Sequence, residues 1–464
     1  MSGVTAAARR PPVLGGGLPW LGHALALRRD PVAFLLRGYA RLGEVFSFRL
    51  AGETVTAMLG PRAHATFFRA ADDRLSARDV YQFMVPIFGR RVVFDVSPEL
   101  MDEQMGFLFP ALRDERLAAY ARLMQDETEA YAAAWCDEGE IDLLSAFGEV
   151  TARIASRCLL GIEFRRRLGD ELAGLLRDLE GGISLPAMVN PRLPLPAFRR
   201  RDRARARIAA LLGEILAGRR AGAGGGDDFL ETLMAARYAD GRRLDDEEIV
   251  GLLISAAFAG QHTSTVMGAW TGLLLLTDPA WLAAVRDEQE RGVDGRPAMT
   301  LEALRRLPLL ECAIKEAERM HPPLIMLMRR VRRDLEHDGL VVEAGGLAMV
   351  SPAAAHRLPH VFADPDRYDP GRFGPERQED RRERNALIGF GGGHHRCIGT
   401  TFAQQQIKVV WSVLLREFEL TLARTDHRPD YSTFVVGPRQ PCVVRYRRRR
   451  RAARAHQATA GDRT

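Results

Sequence analysis

The long apolar stretch over residues 245–276 constrains the fold more than any other feature of the sequence. Asp245 is a good N-cap, and Glu248 stands at the position that completes a capping box. The apolar pattern then runs past Trp270 toward Leu276, which predicts one long helix. This helix lies inside the chain with no clear linker on either side. The sequence therefore predicts a single large domain that is mainly α with small β-sheets.

Shorter patterns on both sides of this helix fit the same fold class. Residues 46–59 alternate in a way that predicts a hairpin with its turn near Gly52, and residues 101–217 are mainly helical, with a break over 190–196. Beyond the long helix we predict short helices around Glu316, strand and turn over 341–350, a polar surface loop over 377–384, a last helix over 399–416, and strands over 433–436 and 443–446.

The ends of the chain differ in composition from its middle. We predict a flexible segment over residues 1–18, the domain itself over 19–446, and a basic, disordered tail over 447–464. The start has no secretory signal, and no uninterrupted apolar run is long enough for a spanning helix. These features predict a cytoplasmic protein without a transmembrane anchor, and they leave peripheral membrane contact open.

Net charge indicates which macromolecules the protein could bind, and cysteine content indicates its redox compartment. The net charge is +6 and the isoelectric point is about 9.3, which fits nucleic acid, a membrane surface or an acidic protein. Nearly all cations are arginine, since Lys315 and Lys408 are the only lysines. Genomic composition rather than function explains that bias, and we predict no nucleic-acid partner. Five widely spaced cysteines predict neither a disulfide framework nor a zinc site, and they fit a reducing compartment.

The segment Phe390-Gly391-Gly392-Gly393-His394-His395-Arg396-Cys397-Ile398-Gly399 is the most informative stretch. Its glycines permit tight turns, and Cys397 precedes a helix whose N-terminus favours a thiolate. A Gly-rich surface loop with an inert, buried cysteine is the alternative for an isolated cysteine.

This segment resembles the cysteine loop of the cytochromes P450, Phe-x-x-Gly-x-(His/Arg)-x-Cys-x-Gly, at every defined position. Glu316-Ala317-Glu318-Arg319 and the segment 368–373 resemble two further elements of that family, in the expected order. The resemblance implies the cytochrome P450 fold over residues 19–446, with haem b on an axial thiolate from Cys397 and with dioxygen as co-substrate. It also implies a buried ion triad of Glu316, Arg319 and Arg372, although Gly371 replaces the usual glutamate beside the last arginine.

The middle of the long helix resembles the oxygen-activation segment of the same family. Gly260 would open a groove beside the iron, and Thr263 would hydrogen-bond the activated oxygen or its water. The family's usual acid is replaced by His262, which a satisfied core histidine also explains. Gln261-His262-Thr263-Ser264 is similar to one branch, the sterol 14α-demethylases, and further segments resemble that branch: 80–89, 92–95, 179–182, 193–196, 198–202 and 321–329.

The resemblance to this branch implies a role for His262, and the sequence differs from the branch at one haem-binding position. Glu180 aligns with an acid that pairs with this histidine, and the pair could relay protons to oxygen. A structural hydrogen bond between two helices is the alternative. The branch usually carries a basic residue for a haem propionate on the helix after the distal loop, but the nearby positions here are Leu100, Met101, Asp102, Met105 and Gly106. Cofactor contacts then fall to Cys397, His395, Arg329, Tyr81, Phe390 and Gly399, with Arg396 nearby.

The resemblance implies a three-step oxidation that removes the 14α-methyl group of a sterol as formate. Electrons would come ultimately from NAD(P)H through a separate donor, a ferredoxin or similar protein, which a basic proximal surface suits. Two rival hypotheses are a hydroxylase of another lipid or terpenoid and a haem-binding sensor or carrier without turnover. The expected apolar pocket comprises Tyr81, Phe83, Met84, Phe88, Phe94, Phe258, Ala259, Leu324, Met326, Met328 and Val435.

Overall fold

The computed structural model describes residues 9–222, 224, 228–292 and 299–449. Within these residues the helices are, in chain order, α1 Ala24–Arg29, α2 Pro31–Leu42, α3 Pro61–Arg69, α4 Arg78–Tyr81, α5 Val85–Phe88, α6 Pro98–Leu108, α7 Asp114–Ala133, α8 Leu143–Ala155, α9 Ile162–Leu168, α10 Glu171–Glu180, α11 Leu185–Val189, α12 Pro196–Arg220, α13 Phe229–Ala235, α14 Asp246–Leu275, α15 Pro279–Gly292, α16 Leu301–Arg305, α17 Pro308–Met320, α18 Pro352–Ala355, α19 Glu379–Arg382 and α20 Thr400–Glu417.

The strands of the same residues are few and short. They are β1 Val45–Leu50, β2 Glu53–Met58, β3 Leu75–Ser76, β4 Glu138–Asp142, β5 Leu327–Val331, β6 Leu335–His337, β7 Leu340–Val342, β8 Leu347–Val350, β9 Phe418–Leu422 and β10 Val443–Arg448. The predicted class, mainly α with small β-sheets, is confirmed.

Helix α14 is the long helix that the sequence predicts, and the core forms around it. The capping box is present, with the Glu248 N–H donating to Asp245 Oδ1 at 2.9 Å and the Asp245 N–H donating to Glu248 Oε2 at 2.9 Å. The helix packs against α8, α17 and α20. Among the described helices it alone is long and apolar enough to cross a bilayer, but 72 % of its most apolar window is buried inside the protein. It is therefore a core helix.

The main sheet has five strands in the order β1-β2-β8-β5-β3. The predicted hairpin is its β1-β2 edge, where Val45 pairs with Met58 and Leu50 with Glu53. Its turn needs a left-handed backbone at two residues, Ala51 at φ +47° and Gly52 at φ +87°. Strand β8 joins β2 in parallel, whereas β5 joins β8 in an antiparallel direction. This sheet carries β5, which supplies Arg329 to the site described below.

The second sheet and the segment before β10 correct three sequence-based predictions. Its order is β4-β10-β9, so a strand interrupts the region predicted as helical and another follows the last helix. Residues 433–436 form no strand; the Val436 N–H donates instead to Pro323 O at 2.8 Å, beside Gly437 and Pro438. Alternating apolar residues in β9 carried a strand signal that the sequence reading missed.

The predicted terminal segments lie partly outside the described residues. Residues 1–8 and 450–464 are not described, while Arg9 and Val13 form bridges with Leu340 and Ser47. The boundary at residue 447 is wrong, because β10 includes Arg447 and Arg448. The Arg448 guanidinium lies 4.7 Å from the centre of the Phe418 ring, so packing against β9 extends the strand into the arginine run.

Candidate functional site

Helix α14 is buried over most of its length but has one accessible face near its middle. Between Gly251 and Leu273, the residues that are not buried are Ala256, Ala259, Gly260, His262 and Thr263. Residues 256, 259, 260 and 263 recur at helical spacing and therefore share a face. A stripe of small side chains with one hydroxyl thus borders open space inside the protein.

The start of α20 lies against this part of α14. A Cβ atom placed on Gly260 would lie 3.8 Å from the Phe402 ring and 3.4 Å from Leu159 Cδ1. Phe402 is in the first turn of α20, five residues after Cys397. The fold therefore brings the cysteine loop to the region of α14 that contains Gly260.

The cysteine loop is a tight turn closed by backbone hydrogen bonds. The Cys397 N–H donates to Phe390 O at 2.9 Å, and the Gly391 N–H donates to Ile388 O at 2.9 Å. Gly393 has φ +62°, and a Cβ atom there would come within 2.2 Å of Phe68 O. Glycine is required at this position because the loop presses against the end of α3.

Cys397 is accessible even though protein surrounds much of its side chain. All five cysteines are free, and Cys397 is exposed. Burial raises the pKa of its thiol, and hydrogen bonds from Gly399 and Thr400 offset part of that effect. Gly399 is the residue before α20, so the sulfur lies at the N-terminus of this helix. A bound metal ion deprotonates a coordinating thiol outright.

Three of the residues predicted to hold haem propionates form one cluster, together with an acid that the sequence did not reveal. His395 Nε2 lies 2.6 Å from Asp72 Oδ1, and the Tyr81 hydroxyl accepts from the Met328 N–H at 3.3 Å. Arg329 is 4 % exposed. Burial lowers its pKa to about 10, although the charge of Asp72 acts in the opposite direction. The cluster can therefore accept further negative charge.

The neighbouring histidine is held by a second acid. His394 Nε2 lies 2.7 Å from Asp102 Oδ1, and both side chains are about half exposed, at 59 % and 46 %. Asp102 is on α6, the helix in which the expected basic residue is missing. Helix α6 thus contacts the cysteine loop through an acid.

His262 and Glu180 are brought together, as the branch resemblance implies. His262 Nε2 lies 2.7 Å from Glu180 Oε1, at side-chain exposures of 14 % and 20 %. The distance is that of an ion pair, although the angle at Nε2 is not that of a good hydrogen bond. The contact joins α14 to the C-terminus of α10. The hydroxyl of the next residue, Thr263, donates to Ala259 O, one helical turn earlier, at 2.8 Å.

Aromatic side chains form a continuous wall from Tyr81 to this histidine. Ring centres are 5.3 Å apart for Tyr81 and Phe94, 6.3 Å for Phe94 and Phe88, and 6.0 Å for Phe88 and Phe258. The Phe258 ring stacks on His262 at 5.9 Å.

Phe83 extends the aromatic wall to a residue that the sequence did not single out. It contacts Tyr81 at 5.9 Å and Phe434 at 5.9 Å, the latter edge-on. Of the other predicted pocket residues, Met84 and Val435 are buried and Leu324 packs against the same core. Met326 and Met328 pack instead against the cluster beside the main sheet.

The predicted ion triad is buried. Arg319 donates to both oxygens of Glu316, at 2.7 and 2.9 Å, and Arg372 donates to Glu316 Oε1 at 3.1 Å. All three side chains are 0 % exposed. The region 377–384, predicted as a polar surface loop, contains α19 and supplies a fourth member, because Arg372 also donates to the buried Glu379 at 2.8 Å. The polar composition of residues 377–384 did not indicate that Glu379 would be buried against Arg372.

These residues fit a haem group. An accessible thiol at a helix N-terminus, a face of small residues on α14, and a cluster around Arg329 that accommodates anions match a flat, apolar ligand with two carboxylates. Phe390 and Gly399 begin and end the cysteine loop and shape it around Cys397.

Comparisons with known proteins agree with this assignment. The model of the Cytochrome P450 family matches residues 11–444. A sterol 14-demethylase of Arabidopsis thaliana is 40 % identical over 95 % of this chain and 92 % of its own length. A sterol 14alpha-demethylase of Mycobacterium bovis is 42 % identical over 94 % of this chain and 98 % of its own. A solved cyanobacterial protein with bound retinoic acid has the same fold, with a TM-score of 0.84 at 24 % identity over 96 % of this chain and all of its own.

Proposed function

This chain belongs to the cytochrome P450 family, whose members are haem-thiolate monooxygenases, and we propose that it removes the 14α-methyl group of a sterol. The observation that carries the proposal is the contact between His262 and Glu180 beside the accessible face of α14. In this segment of the family an acid usually precedes the threonine, and here a histidine paired with a distant acid stands in its place.

Haem bound through Cys397 supplies the activation of dioxygen, with electrons that come from NAD(P)H through a redox partner. We assign the haem carboxylates to Arg329, His395 and the hydroxyl of Tyr81. The glycines of the cysteine loop hold the sulfur at the start of α20, where the helix N-terminus favours negative charge.

Glu180, His262 and Thr263 supply protons. Glu180 Oε1 lies 2.7 Å from His262 Nε2, so the carboxylate can support the charge of the imidazole while His262 passes a proton to water beside the accessible face of α14. The Thr263 hydroxyl is within the same turn, so it can orient the water that receives the proton. The substrate methyl group goes to the alcohol, then to the aldehyde, and leaves as formate while a new ring double bond forms, with one dioxygen and two electrons consumed at each step.

The aromatic wall indicates which class of substrate the pocket can bind. The side chains from Tyr81 to Phe258 are apolar and tightly packed, which suits a rigid, fused-ring hydrocarbon. A titration of the haem absorbance with a panel of sterols and other isoprenoids tests this proposal. Micromolar binding of 14α-methyl sterols, followed by formate release in turnover, is expected. Binding and hydroxylation of non-sterol terpenoids alone would support the rival hydroxylase instead.

We further propose a preference for sterols that carry one methyl group at carbon 4. One relative, in Triticum aestivum, is an obtusifoliol 14-alpha demethylase and is 39 % identical over 95 % of this chain. Phe83 is 4 % exposed and is clamped between Tyr81 and Phe434, so it cannot easily yield to a second methyl group. Overpacking there costs ~1–3 kcal/mol, or roughly ten- to a hundredfold in efficiency.

The selectivity experiment compares kcat/KM for obtusifoliol and lanosterol. The wild type should have a higher kcat/KM for obtusifoliol than for lanosterol, and Phe83→Leu should reduce the difference between these two efficiencies. Phe107→Leu is the matched control, because Phe107 packs against Tyr238 and lies outside the aromatic wall. Equal efficiencies in the wild type would remove Phe83 as the selecting residue.

We propose an acidic ferredoxin or a similar protein as the electron donor, because the chain carries a net charge of +6. The same charge supports peripheral contact with anionic membrane surfaces. Reduction rates with acidic ferredoxins, measured against rising salt, test the donor; rates that do not depend on salt would contradict it.

A further inference from the structure

A cleft on the outside of the molecule collects four arginines far apart in the sequence. It has a volume of about 450 Å³ and lies between the helices α1 and α2 and the loop that precedes β10. Its lining includes Arg29, Arg357, Arg428 and Arg439. We call it the arginine cleft. Its volume is within the range of small-molecule sites, ~300–1,000 Å³.

Three of these arginines have side chains without a partner in the described residues. Arg29, Arg428 and Arg439 are exposed, and their guanidinium groups make no ion pair or side-chain hydrogen bond within the described part of the chain. By contrast Arg424, in the same loop as Arg428, is bound to Asp426 through two hydrogen bonds of 2.7 Å. The three guanidinium groups around the cleft are thus available to bind a ligand, whereas Arg424 is not.

The acids of the cleft do not neutralise these cations. Asp30 Oδ1 accepts the Ala33 N–H at 2.9 Å and so caps α2. Asp366 is 88 % exposed and lies 3.5 Å from Arg357 Nε, a weak contact. Arg357 itself is only 16 % exposed. Burial lowers the pKa of Arg357 and repulsion from Arg319 adds to that effect, while the charges of Tyr431, Asp366 and Asp30 only partly offset it. An anion in the cleft would offset both the burial of the Arg357 charge and its repulsion from Arg319.

We propose that the arginine cleft binds a phosphate group. Guanidinium forks match phosphate oxygens two at a time, and several of them around a cleft discriminate a doubly charged phosphate from a monovalent anion. The site does not overlap the haem pocket and does not depend on the proposed sterol reaction.

The phosphate belongs either to a soluble compound or to a lipid headgroup, and the surroundings of Arg29 bear on the choice. Leu25 is one helical turn before Arg29 on α1 and is 57 % exposed. Trp20, at the tip of the turn closed by the Leu18–Gly22 bridge, is 94 % exposed. Exposed tryptophan and leucine in the same segment of chain as an unpaired arginine are typical of surfaces that meet anionic bilayers.

The test uses the haem-loaded protein with two kinds of probe. Calorimetry measures binding of inorganic pyrophosphate, and sedimentation measures binding to vesicles of phosphatidylglycerol against vesicles of phosphatidylcholine. The variant is Arg428→Ala with Arg439→Ala, whose side chains are exposed and unpaired, so folding should be unchanged. The control is Arg41→Ala with Arg243→Ala, which removes the same charge from exposed positions outside the cleft.

Loss of two charge-assisted contacts should weaken binding by about ten- to a hundredfold in the cleft variant and by less than about twofold in the control. Pyrophosphate binding that follows this pattern assigns the cleft to a soluble phosphate compound. Selective binding to phosphatidylglycerol vesicles with the same pattern, and none to pyrophosphate, assigns it to a lipid headgroup. Absence of both kinds of binding, or equal weakening in the two variants, would overturn the proposal.

Discussion

Glu318 is a buried acid without a cation partner, and its substitution should change how stability depends on pH. It is 3 % exposed, its carboxyl packs over Gly389 at the entrance to the cysteine loop, and it forms no ion pair within the described residues. Burial raises its pKa to about 8; Lys315 and Arg396 oppose this effect and Asp380 adds to it. The folded protein therefore binds this proton more tightly than the unfolded chain does.

The magnitude follows from linkage. The stabilising contribution is full below pH ~4.5, the ordinary value for glutamate, and is lost as the pH rises through about 8. Between pH 6 and pH 8 the folded state is mostly protonated and the unfolded state is not, so the free energy of unfolding should fall by roughly 2 kcal/mol from this group alone. Glu318→Gln, which mimics the protonated acid, should not show this loss.

The assay is the apparent unfolding temperature of the haem-loaded protein at several pH values from 6 to 8. Glu318→Gln should be close to the wild type at pH 6 and more stable by a few degrees at pH 8. Glu311→Gln is the control on the same helix. Burial alone would raise the pKa of Glu311, but Lys408, at 2.7 Å, lowers it overall, so its effect should be constant over this range. Parallel curves for wild type and Glu318→Gln would refute the reasoning.

Three further predictions test the site. Cys397→Ala should lose the thiolate absorbance of the reduced carbon-monoxide complex, and a retained thiolate spectrum would exclude this cysteine as the ligand. Glu316→Ala or Arg319→Ala should yield little folded haem protein, because an unpaired buried charge costs ~3–5 kcal/mol; normal haem content and melting temperature in both would contradict a structural ion cluster. Glu180→Ala and His262→Ala should slow turnover without weakening sterol binding, and their combination should be no slower than either alone; full activity in both single variants would exclude the proton relay.

The features predicted correctly are those with local signals. The capping box at Asp245 and Glu248 lies within four residues, and the hairpin needs only a short turn at Gly52. Where the signal was local but weak, as in β9, the prediction failed. Residues 433–436 have a strand pattern, but Gly437 and Pro438 follow directly, and the segment is irregular.

The sequence by itself determined the long helix, the cysteine loop and, through resemblance, the family. Each depends on hydrogen bonds and backbone angles within a few residues of one another. Only the tertiary structure decided that Asp72 holds His395 across 323 residues, that Glu379 completes the buried ion cluster, and that Arg29 meets Arg428 in one cleft. Such pairings leave no periodic pattern in a sequence, because they arise when packing of the helices and sheets brings distant segments to the same place.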